Sequence, residues 1–162
     1  MFALSLSRRL LATASAVAAL SVLALAPTPA FAVKQTGGEY NTLYAGLGAK
    51  GYDVVSYFTD KKPMQGSDKF TVDHGGVTWQ FASAEHRDMF KADPGKYAPQ
   101  YGGFCAWGVA QGKLFDVDPA NGWTVSNGKL YLNFNEDLNK TFARDTAGFI
   151  NKAEDNWAGL NK

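Results

Sequence analysis

The sequence predicts an α+β domain in which a small antiparallel sheet, made of two hairpins, packs against helices. Two stretches alternate apolar and polar residues about a short turn, "KFTVDHGGVTWQF" and "WTVSNGKLYLNF". Two residues suited to capping, Ser83 and Asn135, each follow one of these stretches and precede a helix-like segment. The C-terminal segment then carries apolar residues at helical spacing.

The first segment reads as an export leader over 1–32. Arg8 and Arg9 precede the apolar run Leu10–Ala26, and Ala30-Phe31-Ala32 forms a small-residue cleavage pattern. The run is broken by Thr13, Ser15 and Ser21, closed by Pro27 and Pro29, and shorter than the ~20 residues of a membrane span. "SRRLLA" also resembles a twin-arginine signal. Removal of the leader leaves 33–162 as one domain with no integral membrane segment. The whole chain has 16 basic and 15 acidic residues, and the leader takes only Arg8 and Arg9 with it. The near-neutral remainder excludes the basic footprint of a nucleic-acid binder. One cysteine, Cys105, excludes an internal disulfide framework.

Val33–Gly48 is Gly-rich and weakly periodic, an extended lead-in. In "GYDVVSYF", Asp53 is placed to cap a helical turn or to enter a short strand. The first hairpin puts Phe70, Val72, Val77, Trp79 and Phe81 on one face and turns through His74-Gly75-Gly76. A helix over "AEHRDMFKAD" follows, capped by Ser83 and stopped at Pro94-Gly95. "KYAPQYGGF" is a connector, and "CAWGVAQG" is a short apolar helix ending at Gly112. The second hairpin turns at Asn127-Gly128, the strongest short-range signal in the chain. Asn135 then caps a helix whose stripe runs through Leu138, Phe142, Phe149, Ile150, Ala153, Trp157 and Leu160, with Gly148 as a weak point.

"GYDVVSYF", "VTWQFASAEHRDMFKADPGKY" and "APQYGGFCAWGVAQG" resemble the exported YHS-domain proteins of bacteria, from about Gly51 to "NWAGL". The resemblance implies a YHS-like domain, a periplasmic or otherwise exported location, and handling of a heavy metal through cysteine thiolates. On this chain the family's cysteine positions fall at Ser56, Ala82 and His86, and only His86 keeps a good metal ligand.

The expected metal site therefore uses Cys105 with His86 and His74, a sulfur and nitrogen set suited to copper or zinc. Met64 and Met89 supply thioethers, and no pair has a diagnostic ligand spacing. Each residue has a structural alternative. Cys105 lies among Phe104, Ala106 and Trp107 and reads equally as packing; His86 as a hydrogen-bonded boundary residue; His74 as a solvated turn residue. Asp116 and Asp118 in "FDVDPANGW" read as turn chemistry, lacking the glycine and terminal glutamate of a calcium hand. No catalytic residue is assigned, because neither histidine stands in a nucleophile's sequence context. The expected function is a non-enzymatic, exported metal-handling accessory, copper before zinc. The alternative is a binding module for a small apolar ligand or another exported protein. In it Cys105 is purely structural, and Tyr97, Tyr101, Phe104, Trp107 and Trp123 line a groove or fill the core.

Overall fold

The computed structural model describes residues 39–162, so the expected leader and the start of the lead-in lie outside the described residues. The order of elements is α1 (Ser56–Thr59), β1 (Ser67–His74), β2 (Val77–Phe81), α2 (Ala84–Ala92), α3 (Pro94–Tyr97), α4 (Ala106–Ala110), β3 (Trp123–Ser126), β4 (Lys129–Leu132), α5 (Glu136–Arg144) and α6 (Thr146–Leu160). The architecture is α+β, as the hairpin and cap signals require. None of the described helices is long and apolar enough to cross a membrane.

Both hairpins form where their turns predict. β1 and β2 pair antiparallel with Val72 opposite Trp79 and His74 opposite Val77, and Gly75 and Gly76 make the turn with positive φ. β3 and β4 pair through Asn127 (φ 50) and Gly128 (φ 72). The two hairpins do not join into one sheet as expected; each is a separate two-stranded sheet. The reason lies at their edges. The Thr78 N–H on β2 donates to the Gly46 carbonyl (2.8 Å) and Leu47 bridges Thr78, while the Leu130 carbonyl on β4 accepts from the Gln100 N–H (2.8 Å). Loop backbone occupies the positions that a neighbouring strand would need.

The helices follow their caps. The Ser83 and Asn135 side chains accept from the His86 and Leu138 N–H groups, opening α2 and α5. The stripe after Asn135 is two helices, broken at Asp145 rather than at Gly148. The Asp145 carboxylate caps α6 by accepting from the Gly148 N–H (3.0 Å), and a Cβ on Gly148 would collide with that carboxylate. Gly148 thus marks the cap's partner. The connector also holds α3, with Pro94 in its first turn and Asp93 as its cap.

Two apolar cores result. One gathers Trp79, Phe81 and Phe90 with Val54, Val55, Tyr57, Leu130 and Leu132; the other holds Tyr101, Phe104, Val109, Tyr131 and Phe142 beneath α4 and α6. Each fully buried aromatic of this kind contributes roughly 2–3 kcal/mol by leaving water. Cys105 belongs to the first core, Ala106 and Val109 to the second, so α4 begins at the seam between them.

Candidate functional site: an apolar cleft around Cys105

Cys105 is fully buried and stands at the N-cap of α4. Its Sγ accepts from the Gly108 N–H (3.4 Å) and the Phe134 N–H (3.3 Å), and its S–H faces the Asn133 Oδ1 (3.8 Å). Its own N–H donates to the Phe115 carbonyl (3.1 Å). Burial pushes the thiol above its ordinary value, outweighing the backbone N–H groups that favour the thiolate. The residue is therefore a poor nucleophile and a well-placed acceptor.

Asn133, also fully buried, completes this support. Its Oδ1 accepts from the Trp107 N–H (3.0 Å), and its Nδ2 donates to the Asn139 Oδ1 (2.9 Å), which also accepts from the Thr124 hydroxyl (2.9 Å). A buried amide with its groups paired fixes one arrangement of the chain around it.

What these two residues hold is a cleft of about 330 Å³ lined by Trp107, Phe115, Phe134, Asn135 and Leu138. The rings of Trp107 and Phe115 lie nearly parallel, at 17° with centroids 6.3 Å apart. Phe115 reaches that position because residue 108 is glycine: a Cβ there would lie 2.6 Å from the Phe115 ring. The cleft's volume falls at the small end of ligand pockets, and its walls are aromatic and aliphatic with one amide.

The sequence-predicted metal ligands occupy three separate environments. His74 ends β1 half-buried beside the Gly75-Gly76 turn, its ring 5.9 Å from that of Phe90 and 6.2 Å from that of Tyr40. His86 lies on the first turn of α2, where its Nδ1 meets the Asp53 Oδ2 at 2.7 Å. Asp53 is fully buried and also accepts from the Val55 N–H (2.9 Å) and the Ala82 N–H (2.9 Å). Its partners are all donors, so the Asp53 bond places a proton on the His86 Nδ1. The His86 Nε2 is then left facing the Thr59 hydroxyl (3.3 Å) and the Asp60 carboxylate (3.5 Å). No hydrogen bond, ion pair or ring contact joins Cys105, His86 and His74 to one another, and no set of three His, Cys, Asp or Glu side chains is grouped for a metal among the described residues.

Of the aromatic set, Tyr97, Tyr101 and Phe104 are buried in the cores, and Trp123 packs edge-on against Tyr57 at 5.2 Å. Only Trp107 lines the cleft. Sequence reasoning missed Phe115 and Phe134 as wall residues and Asn133 as their support. The available signal was the polar Asn133 between Leu132 and Phe134, which interrupts an apolar run where a strand ends. Asp118 does make a turn, accepting from the Ala120 N–H (3.0 Å) and the Asn121 side chain (2.9 Å).

No family model, no curated protein and no solved structure matches the chain.

Proposed function

We propose that this is a non-catalytic, exported binding module of YHS-like fold whose cleft at Trp107, Phe115, Phe134 and Leu138 takes a small apolar ligand. One observation carries the reading. The only cysteine is spent on architecture: its N–H and Sγ tie down the backbone of Phe115, Phe134 and the first turn of α4, which presents Trp107. A buried acceptor that organises the walls of an apolar cleft makes sense when the cleft must be preformed. The export leader and the YHS resemblance support a periplasmic setting.

The test is a titration with N-phenyl-1-naphthylamine, a neutral probe that fluoresces in apolar surroundings. Saturable one-to-one binding, weakened at least tenfold by Leu138→Asp and by Trp107→Ala, is expected. Absence of saturation, or binding indifferent to both variants, overturns the reading. So does self-association through this face that the probe does not displace.

A second reading keeps the metal and has its own observation, the 2.7 Å contact between Asp53 and His86. A buried carboxylate that orients an imidazole through Nδ1 is the usual support behind a histidine ligand. Here Nε2 and Asp60 would bind copper or zinc, with Cys105 uninvolved. Titration with Zn(II) and with Cu(I) under reducing conditions tests it. The reading requires binding that His86→Ala abolishes and Cys105→Ala leaves intact; no binding tighter than micromolar ends it.

A further inference from the structure

A second cavity, of about 270 Å³, shares no lining residue with the cleft. Its walls come from Glu39 and Tyr40, from the connector 98–102, and from Trp157 and Asn161 at the end of α6. The volume lies just below the usual range of ligand pockets, about 300–1,000 Å³, so an occupant is small. Backbone conformation shapes this wall. Tyr101 is held at φ 55 and is followed by Gly102 (φ 60) and Gly103 (φ 76), so three successive residues run left-handed. For a tyrosine that conformation costs roughly 1–2 kcal/mol. The buried Tyr101 ring there meets the Trp157 ring edge-on, with centroids 5.8 Å apart and planes at 62°. Gly102 lets the chain at Glu39 close in, since a Cβ there would collide with the Glu39 carbonyl oxygen.

Charge in this lining has one sign. Glu39 is the one charged side chain among the described lining residues, and its carboxylate adds to the burial that raises the neighbouring Tyr40 phenol. A second carboxylate, Glu154, stands outside the lining but accepts from the Tyr101 hydroxyl (3.3 Å), three residues before Trp157 on α6. Neither glutamate has an ion-pair partner among the described residues. The last turn of α6 carries no basic side chain, so the negative end of its dipole adds to the same sign. The lysines nearest in sequence lie outside the lining: the Lys96 ammonium is 4.8 Å over the Tyr97 ring, and Lys162 is exposed beyond Asn161. Gln100, Asn161 and the Trp157 indole N–H supply donors without charge. Hydrogen bonding alone would therefore admit a neutral ligand or a carboxylate. A carboxylate would face Glu39 with no cation in the lining, whereas a cation meets a carboxylate and aromatic rings.

From this we infer that the cavity is a second ligand site, for a small organic ammonium ion with a methylated nitrogen. Tyr101 and Trp157 supply the cation–π contacts and Glu39 the countercharge. This site is separate from the apolar cleft and stands whether or not the cleft binds a ligand.

Choline and its neutral isostere 3,3-dimethylbutan-1-ol, in which carbon replaces the nitrogen, test this by calorimetry on the purified protein, with the Trp157 indole NMR signal followed alongside. Choline should saturate and bind about tenfold more tightly than the alcohol, and added salt should weaken choline alone. Glu39→Gln, at an exposed position, keeps the side chain's size and should weaken choline about threefold to tenfold without changing the alcohol. Trp157→Leu should weaken choline about tenfold; if that variant does not fold, Glu39→Gln decides alone. Equal binding of the two compounds, tighter binding of the alcohol, no saturation by choline, or a choline affinity unchanged in either folded variant overturns the inference. Displacement of N-phenyl-1-naphthylamine by choline would place both ligands in one site and overturn it too. Failure of that naphthyl probe to bind at all sinks the cleft reading and leaves this one intact.

Discussion

The backbone N–H of Phe134 donates to the sulfur of Cys105, 3.3 Å away, and both residues pack in the first core. Together with the Gly108 N–H on the same sulfur, it makes the thiol the fastening point for two walls of the cleft. Cys105→Ala removes the sulfur acceptor of the buried Gly108 N–H and the part-buried Phe134 N–H, which should cost about 1–3 kcal/mol in urea unfolding. The same geometry predicts that iodoacetamide labels the native protein only as fast as the protein opens. Rapid labelling of the folded state would remove the sulfur from this role.

Gly108→Ala tests the other side of the arrangement. The new methyl group would meet the Phe115 ring at 2.6 Å, so the ring must leave its place beside Trp107. A stability loss of about 1–3 kcal/mol is expected from the overpacking. Probe binding should fall by more than the loss of folded protein explains. A variant that binds normally would show that Phe115 is not a wall of the site.

Alkaline pH should unfold this protein earlier than acid-neutral behaviour suggests. Burial raises the Cys105 thiol above its ordinary 9.0 and lifts the Tyr40 phenol to about 12, with Glu39 adding to the latter. The Tyr57 and Tyr101 phenols are raised as well, again chiefly by burial. Groups raised in the folded state bind protons more tightly there than when unfolded, so their contribution is complete below the unfolded values. It declines once pH passes about 9 and goes on declining through about 12. Urea midpoints measured from pH 8 to 11 should be level at first and then fall steadily. A midpoint that rises over this range would contradict the burial of these groups.

Asp53 anchors the other half of the molecule. Replacing it by alanine removes the acceptor of the Val55 and Ala82 N–H groups and of the His86 imidazole, for an expected loss of about 3 kcal/mol. His86→Ala should cost less, since Asp53 keeps its backbone donors. Equal costs would mean that the imidazole bond dominates the cluster.

Local signals carried most of the fold. Gly75-Gly76 and Asn127-Gly128 specify their hairpins by chain chirality alone, and Ser83 and Asn135 start helices through a single side-chain bond. What stayed hidden depends on contacts remote in sequence. The hairpins remain apart because the Gly46 carbonyl and the Gln100 N–H reach their edges, and no periodicity in β2 or β4 announces those partners. The break at Asp145 was masked because the apolar stripe continues on both sides of it. The cleft was legible only in part. Trp107 stands out by type and Leu138 by spacing, but nothing local marks Phe115 and Phe134, whose backbones meet through hydrogen bonds to Cys105. Asp53 and His86, 33 residues apart, likewise gave no joint signal before α1 and α2 met.

The most direct test of the central claim, that the cysteine-fastened cleft is where ligand binds, is a map of amide and indole NMR shifts during titration with 2-acetylnaphthalene. Saturating shifts confined to the Trp107 indole and to Phe115, Phe134, Asn135 and Leu138 are expected, and they should be lost in Leu138→Asp. Saturating shifts centred on His86, His74 or the Tyr40–Tyr101 side of the molecule, with these five residues unmoved, would contradict it.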